Sequence, residues 1–290
     1  MLICRYIDSR SSRDRPVDRP AARPEYGRLT RSGDDATVVP VAYDTSSGRW
    51  VETGSGPARP LAEVDLLPPA EPSKIACLAL NHAPDGRATG DRRPAGAASC
   101  AVVLKPPSSL EASGSTVCHP GDEWELAYEA ELAVVIGARC FRVPAEEASR
   151  VVAGYTCAND LTAYAQPSTH TAGGAGRAAA PPVWAKHFDG FTPLGPWLAT
   201  DLDPDDAEIT CTLDGETVRR VSTRDLLTPV PEVIAAVSEH MTLLPGDVIL
   251  TGTPAASGPL SVGSRIDVTI ADIGTLTTTI GKPHEGRNLR

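Results

Sequence analysis

No stretch of the chain approaches the roughly 18 consecutive apolar residues that a membrane-spanning helix requires, so a soluble protein with no membrane partner is expected. The first sixteen residues, MLICRYIDSRSSRDRP, turn basic after a few apolar positions and lack the long apolar core of a secretory signal, which points to the cytoplasm. The seven cysteines are odd in number, widely spread and never spaced as CxxC, so neither a disulfide framework nor a paired-cysteine metal motif is expected. Positive charge is also scarce: 27 Lys and Arg stand against 37 Asp and Glu, a net charge of −10. Such a surface repels nucleic-acid phosphates. The one arginine-rich stretch, residues 10–28, alternates Arg with Pro, Asp and Ser, and reads as a flexible solvated segment. GGAGR at 173–177 lacks the Lys-Ser/Thr that would complete a phosphate-binding loop, and no internal repeat is apparent.

What is present is a chain of 290 residues, 41% hydrophobic, long enough for one large domain with a substantial core. Short β-patterned runs at 2–6 and 36–43, separated by turn-rich segments, suggest a small N-terminal β unit over residues 1–70. A larger domain over 71–290 has β-like runs at 74–80, 101–105, 128–136, 154–159, 209–213, 248–251, 265–270 and 276–280. Asp214-Gly215, between 209–213 and 217–221, predicts a hairpin. Helices are expected only at 144–152 and 231–241, the latter with Pro in its first turn and Ile234, Val237 and Met241 on one face. Residues 167–182, rich in Gly, Ala and Pro, are expected to form a loop. The predicted fold is mixed α/β, mainly β.

Chemistry concentrates in carboxylates. Glu129 and Glu131 lie two apart in a β-patterned run, so both project from one face while Tyr128, Ala130 and Leu132 face the other way. That run continues into Ala-Val-Val-Ile, which should be buried, and a buried acid pair needs a cation or a proton. A third carboxylate, Asp160, ends the run at 154–159; three carboxylates make a hard oxygen site suited to Mg²⁺, Mn²⁺ or Ca²⁺.

A colinear series of short motifs supports this reading. In order they are Pro-Ser-Lys-Ile (72–75), Leu-Asn (80–81), Leu-Lys-Pro-Pro-Ser-Ser (104–109), Tyr-Glu-Ala-Glu-Leu (128–132) and Ala-Gly-Tyr-Thr followed by Asn-Asp (153–160). Lys-His-Phe-Asp (186–189), Pro-Leu-Gly-Pro-Trp (193–197) and Thr-Leu-Leu-Pro-Gly-Asp-Val-Ile-Leu-Thr-Gly-Thr-Pro (242–254) continue it. Through this series the chain resembles the fumarylacetoacetate hydrolase family over roughly residues 70–282. The resemblance implies a large domain built on a rolled β-sandwich or barrel, a homodimer, and a divalent cation, Mg²⁺ first, held by Glu129, Glu131 and Asp160. It further implies that Lys186 lies beside the metal and a small carbonyl-acid substrate, and that Thr253 lines the substrate pocket. The expected chemistry is an enolate, from a 2-oxo acid or β-dicarbonyl, stabilised by the metal.

Two departures narrow the function. Members that hydrolyse or decarboxylate carry Gly-Leu-Asn-Tyr-x-x-His followed by Glu, a water-activating dyad on a lid. Here the segment reads Ala-Leu-Asn-His-Ala-Pro-Asp-Gly-Arg-Ala, with His82 at the Tyr position, Asp85 at the His position and Ala88 where Glu is expected. Either His82 and Asp85 form a replacement acid–base pair or the lid has lost its base. The family's Ser/Thr-Ala-Arg-Asp is replaced by Thr162-Ala-Tyr164-Ala165, which removes a carboxylate clamp, although Gln166 is a candidate substrate contact one position early. Proton-shuffling reactions therefore gain ground over hydrolysis. A non-catalytic metal-binding homologue is the alternative.

Overall fold

The computed structural model describes residues 1–9, 23–32, 35–54, 56–82, 101–165, 183–254 and 257–283. Its spine is the strand Ala130–Ile136, in which every residue is buried. Leu132, Val134 and Ile136 face one core and Ala133 and Val135 another, which is why the segment reads as a continuous apolar run rather than an alternating one. Val152–Asn159 pairs antiparallel with it on one side and Val248–Leu250 on the other. Ile75–Ala79 then adds parallel to Val248–Leu250, and Ala101–Lys105 closes that edge antiparallel.

On the opposite side Val152–Asn159 pairs with Thr192–Ala199, which pairs in turn with the N-terminal strand Leu2–Asp8. Glu25–Ser32, Asp35–Asp44 and Arg49–Glu52 continue the same 13-stranded sheet. The strands of the expected N-terminal unit are thus hydrogen-bonded into the large sheet. Trp50 Nε1 and Tyr43 Oη reinforce the joint by donating to the carbonyls of Ala153 and Val152. The segment 10–28 was expected to be flexible, but its last four residues begin the strand Glu25–Ser32, where pairing on both sides overrides the polar composition. Residues 10–22, and the loop expected at 167–182, lie outside the described residues.

A five-stranded sheet, which contains Glu208–Leu213, Glu216–Ser222, Arg265–Ile270 and Gly274–Gly281, packs Ile209, Val268 and Leu276 into the main core. The Asp214-Gly215 turn has φ of +51° and +88° and joins Leu213 directly to Glu216, as a two-residue hairpin with both central residues left-handed. A third sheet contains Trp124–Tyr128, Thr162–Ala165 and Ser257–Leu260. Helix α1, Val230–His240, buries Val230, Val233, Ile234 and Val237 against the main core. The helix expected at 144–152 is a 3₁₀ segment, Ala145–Val151. It has only seven residues before the next strand and buries only Ala148, too little to sustain an α-helix. The fold is mainly β, as the patterning predicts. Among the described residues no helix is long and apolar enough to cross a membrane.

Candidate metal centre

The expected continuous strand over 128–136 is broken at Glu129, and this break shapes the site. Trp124–Tyr128 belongs to the three-stranded sheet and Ala130–Ile136 to the large one, so Glu129 sits where the chain crosses between them. Its N–H donates to Asn159 Oδ1 at 3.3 Å, and its carbonyl accepts the Asp160 N–H at 2.8 Å. These bonds tie the Glu-x-Glu segment to the Asn-Asp segment and hold their side chains at one spot. The carboxylates of Glu129, Glu131 and Asp160 offer oxygens that all lie within 4.8 Å of one another, an arrangement that can hold a metal ion.

Two lysines meet this cluster. Lys186 Nζ donates to Asp160 Oδ2 at 2.5 Å, Thr162 Oγ1 at 2.8 Å and Glu129 Oε2 at 3.1 Å. Lys186 follows the exposed Trp184 in the short 3₁₀ turn Val183–Lys186, yet its own side chain is only 13% exposed, so it is not a surface residue. Lys105 Nζ reaches the other oxygen, Asp160 Oδ1, at 2.5 Å. Glu131 Oε2 accepts the backbone N–H of Gly252 at 2.6 Å. That close approach needs a glycine: φ is +99°, and a Cβ at 252 would lie 3.0 Å from the Leu78 carbonyl.

The electrostatics follow from this inventory. Burial, followed by repulsion from Asp160 and Glu129, pushes the Glu131 carboxyl well above its ordinary range. Burial likewise raises Glu129, against the pull of Lys186. For Asp160 the cost of burial is outweighed by Lys105 and Lys186, and its pKa is lowered. Burial disfavours the Lys186 ammonium, but Asp160 and Glu129 overcome this and raise its pKa. Two ammoniums do not offset the cost of ionising all three carboxylates inside the protein, as the raised Glu129 and Glu131 show. Additional positive charge is therefore favoured there, and an oxygen donor set of this kind suits a hard divalent cation.

Glu129, Asp160, Lys186 and Thr253 line one cavity of about 440 Å³, with Cys77, Leu78, Leu80, Val103, Tyr164 and Pro254 among its other walls. Thr253 Oγ1 is buried there with no hydrogen-bond partner among the described residues, a hydroxyl available to a ligand. Of the remaining sequence candidates, Asp85 and Gln166 lie outside the described residues. His82 is 4% exposed and is not among the cavity's lining residues; its backbone bridges to Leu226. Both ring nitrogens are buried with no hydrogen-bond partner among the described residues. Burial, with a smaller push from Arg219, lowers its pKa to about 4, against the attraction of Asp225.

That shift has a measurable consequence. The folded pKa lies below the ordinary 6.5, so the stability tied to the neutral ring is fully present above about pH 6.5 and is lost as pH falls through 4. Over that window the fold is expected to lose about 3 kcal/mol, near 1.4 kcal/mol per pH unit. Urea midpoints measured from neutral pH down to about pH 4.5 should show the decline in the wild type and its absence in His82→Asn. Parallel profiles for the two proteins would refute it.

Three residues at the site escape motif reading by type alone. Lys105 looks like the solvated end of a β run, Asn159 like a turn residue and Gly252 like a loop residue. Their shared signal is that each falls inside one of the colinear motifs. Asn81 is a fourth such residue: its side-chain amide ties the Thr228 backbone to the Thr251 carbonyl, two residues before Thr253.

A mainly β scaffold with a carboxylate cluster and a buried lysine at the wall of a substrate-sized cavity defines an enzyme that acts on a small molecule. The comparisons identify its kind. A family model, the C-terminal domain of fumarylacetoacetate (FAA) hydrolase, matches residues 74–281, and the chain belongs to the fumarylacetoacetate hydrolase family. Protein Rv2993c of Mycobacterium tuberculosis is 37% identical over 239 residues, which are 80% of this chain and 85% of that protein. The mitochondrial oxaloacetate tautomerase FAHD1 of Arabidopsis thaliana is 36% identical over 203 residues, 69% of this chain and 87% of that one. Among solved structures, 5-carboxymethyl-2-hydroxymuconate delta-isomerase from Mycobacterium smegmatis superposes with a TM-score of 0.76. It is 32% identical, with 97% of this chain and 100% of that one covered.

Proposed function

We propose that the protein is a divalent-cation-dependent enzyme that moves protons on a 2-oxo acid or β-dicarbonyl substrate by way of its enolate. The observation that carries this is the cluster of Glu129, Glu131 and Asp160, with Glu129, Asp160 and Lys186 lining one cavity. Glu129, Glu131 and Asp160 would hold a cation such as Mg²⁺, with Mn²⁺ or Ca²⁺ as alternatives, which would supply positive charge that favours the enolate. Lys186 places a second, fixed positive charge at the cavity wall, where enolate oxygen charge develops. Thr253 Oγ1, which has no hydrogen-bond partner among the described residues, donates to a substrate oxygen.

Tautomerisation or isomerisation is favoured over carbon–carbon hydrolysis. These reactions relocate one proton and consume no water, so they need no activated water. The segment around His82 to Ala88 departs from the family's water-activating His-Glu pattern, and His82 itself is buried, neutral and outside the cavity lining. In this reading it takes no part in proton transfer. Relatives named for oxaloacetate tautomerase and for a muconate delta-isomerase support the same outcome. Assembly as a homodimer through the large domain and a cytoplasmic location belong to the same proposal.

The test is turnover on a panel of 2-oxo acids and β-diketones with and without divalent cation. Glu129→Ala and Lys186→Ala are each expected to lower kcat/KM by at least about 10²-fold. A folded, cation-loaded protein that processes none of the panel would instead be a non-catalytic binding homologue.

A further inference from the structure

We propose that Lys105 is a positioning residue: it pins one oxygen of Asp160 so that the carboxylate meets the cation through the other oxygen alone. The proposal rests on the metal reading above, but it concerns a residue that does not line the cavity.

Lys105 ends the strand Ala101–Lys105, where it is paired with Ile75, and its side chain is 0% exposed. Its Nζ donates to Asp160 Oδ1 at 2.5 Å and to the Phe191 carbonyl at 2.6 Å, with the Leu161 carbonyl at 3.5 Å. Three acceptors match the three N–H bonds of an ammonium, so none remains for a substrate. Two of those acceptors are backbone atoms, and their segments are themselves joined by the Leu161 N–H to Phe191 carbonyl bond at 3.1 Å. The ammonium is therefore held by two backbone carbonyls as well as by the carboxylate it serves.

The consequence falls on Asp160. A carboxylate turns readily about its Cβ–Cγ bond, a broad two-fold torsion, unless something fixes it. Lys105 on Oδ1 removes that freedom and leaves Oδ2 as the oxygen directed at Lys186 and the cavity. Hydrogen-bonding partners behind a metal ligand commonly set its orientation and basicity, and their loss costs about 10–100-fold in metal affinity. A buried pair with a purely structural role behaves differently, because its removal lowers stability and leaves the metal affinity of the folded protein unchanged.

The experiment is calorimetric titration of the full-length protein with Mg²⁺, and with Mn²⁺ followed by electron paramagnetic resonance. Lys105→Met is expected to raise Kd by about 10–100-fold, and Lys105→Gln, which can still donate to Oδ1, is expected to recover part of that loss. A folded Lys105→Met protein with wild-type Kd and an unchanged Mn²⁺ spectrum overturns the proposal. Should Lys105→Met not fold, the wild type decides the matter: with ¹⁵N-labelled lysine, the shielded Lys105 ammonium resonance is expected to shift along the same binding curve as the cation. An immobile resonance overturns the assignment. A wild type that binds neither cation overturns instead the metal reading on which the proposal rests.

Discussion

Glu131→Gln is expected to be inactive and, without divalent cation, more stable than the wild type. Glu131 is 1% exposed, and its charged form is opposed first by burial and then by Asp160 and Glu129. The one backbone donor it meets, the Gly252 N–H, can bond a glutamine oxygen equally well. Glutamine therefore keeps the shape and the hydrogen bond while removing the charge that two neighbouring carboxylates repel. Relief of that repulsion is worth on the order of 1 kcal/mol, or roughly 2–4 °C in Tm for a chain of this size.

Activity should move in the opposite direction. A neutral amide in place of a carboxylate weakens the oxygen donor set for a hard cation, and turnover is expected to fall on the order of 10³-fold. The two effects make a crossing experiment. In chelator the variant melts above the wild type; in excess divalent cation the wild type gains stability by ligand linkage and the variant gains much less. If the variant melts below the wild type in chelator, the carboxylate cluster is not the repulsive assembly described above. If both proteins respond equally to the cation, Glu131 is not a ligand.

How much of this was legible in the sequence depended on whether the signal was local. The buried strand Ala130–Ile136, helix α1 and the Asp214-Gly215 hairpin are written in local patterning and turn chemistry, and each appears within a residue or two of expectation. Thr192–Ala199 was not legible as a strand, because it contains Pro193 and Pro196 and keeps its place only through neighbours on both sides. The pairing of Glu129 with Glu131 was read through a two-residue period that the chain does not follow. The side chains still converge because Asn159 and Asp160 hold the crossing residue by its backbone. Lys105 was hidden for a related reason: a lysine after an apolar run reads as solvated unless its acid partner, 55 positions later, is known.

The same logic separates motifs that do chemistry from motifs that build the site, and Asp247 is the clearest case. It lies in the Leu-Leu-Pro-Gly-Asp segment, 173 residues from Lys74 of the Pro-Ser-Lys-Ile segment, and is 0% exposed. Its Oδ1 accepts the Ser73 N–H at 2.9 Å, the Ser73 hydroxyl at 2.7 Å and the Lys74 N–H at 3.2 Å. Its Oδ2 accepts Lys74 Nζ at 2.5 Å and the Leu244 N–H at 2.8 Å. Immediately afterwards Val248 pairs with Ile75, opening the parallel contact that carries Cys77 and Leu78 on one strand, and Thr253 beyond the other, to the cavity. Nothing local sets the register of a parallel pair so distant in sequence, and this carboxylate does so by bonding both chains at once.

Asp247→Ala strands five donors, one of them an ammonium, and is expected to cost about 3–5 kcal/mol. The acid dependence has a definite sign: burial works against the ionised form, but Lys74 and the Leu244 and Ser73 donors outweigh it and hold the pKa below 3.8. This stability is present above that value and disappears as pH falls below it, a window more acidic than the one His82 governs. Urea unfolding of Asp247→Ala near neutral pH, beside cation titration of the protein that remains folded, checks both halves. A loss under about 1 kcal/mol would show that the register is held elsewhere. A large loss with unchanged cation affinity would place Asp247 among the residues that build the site rather than those that operate it.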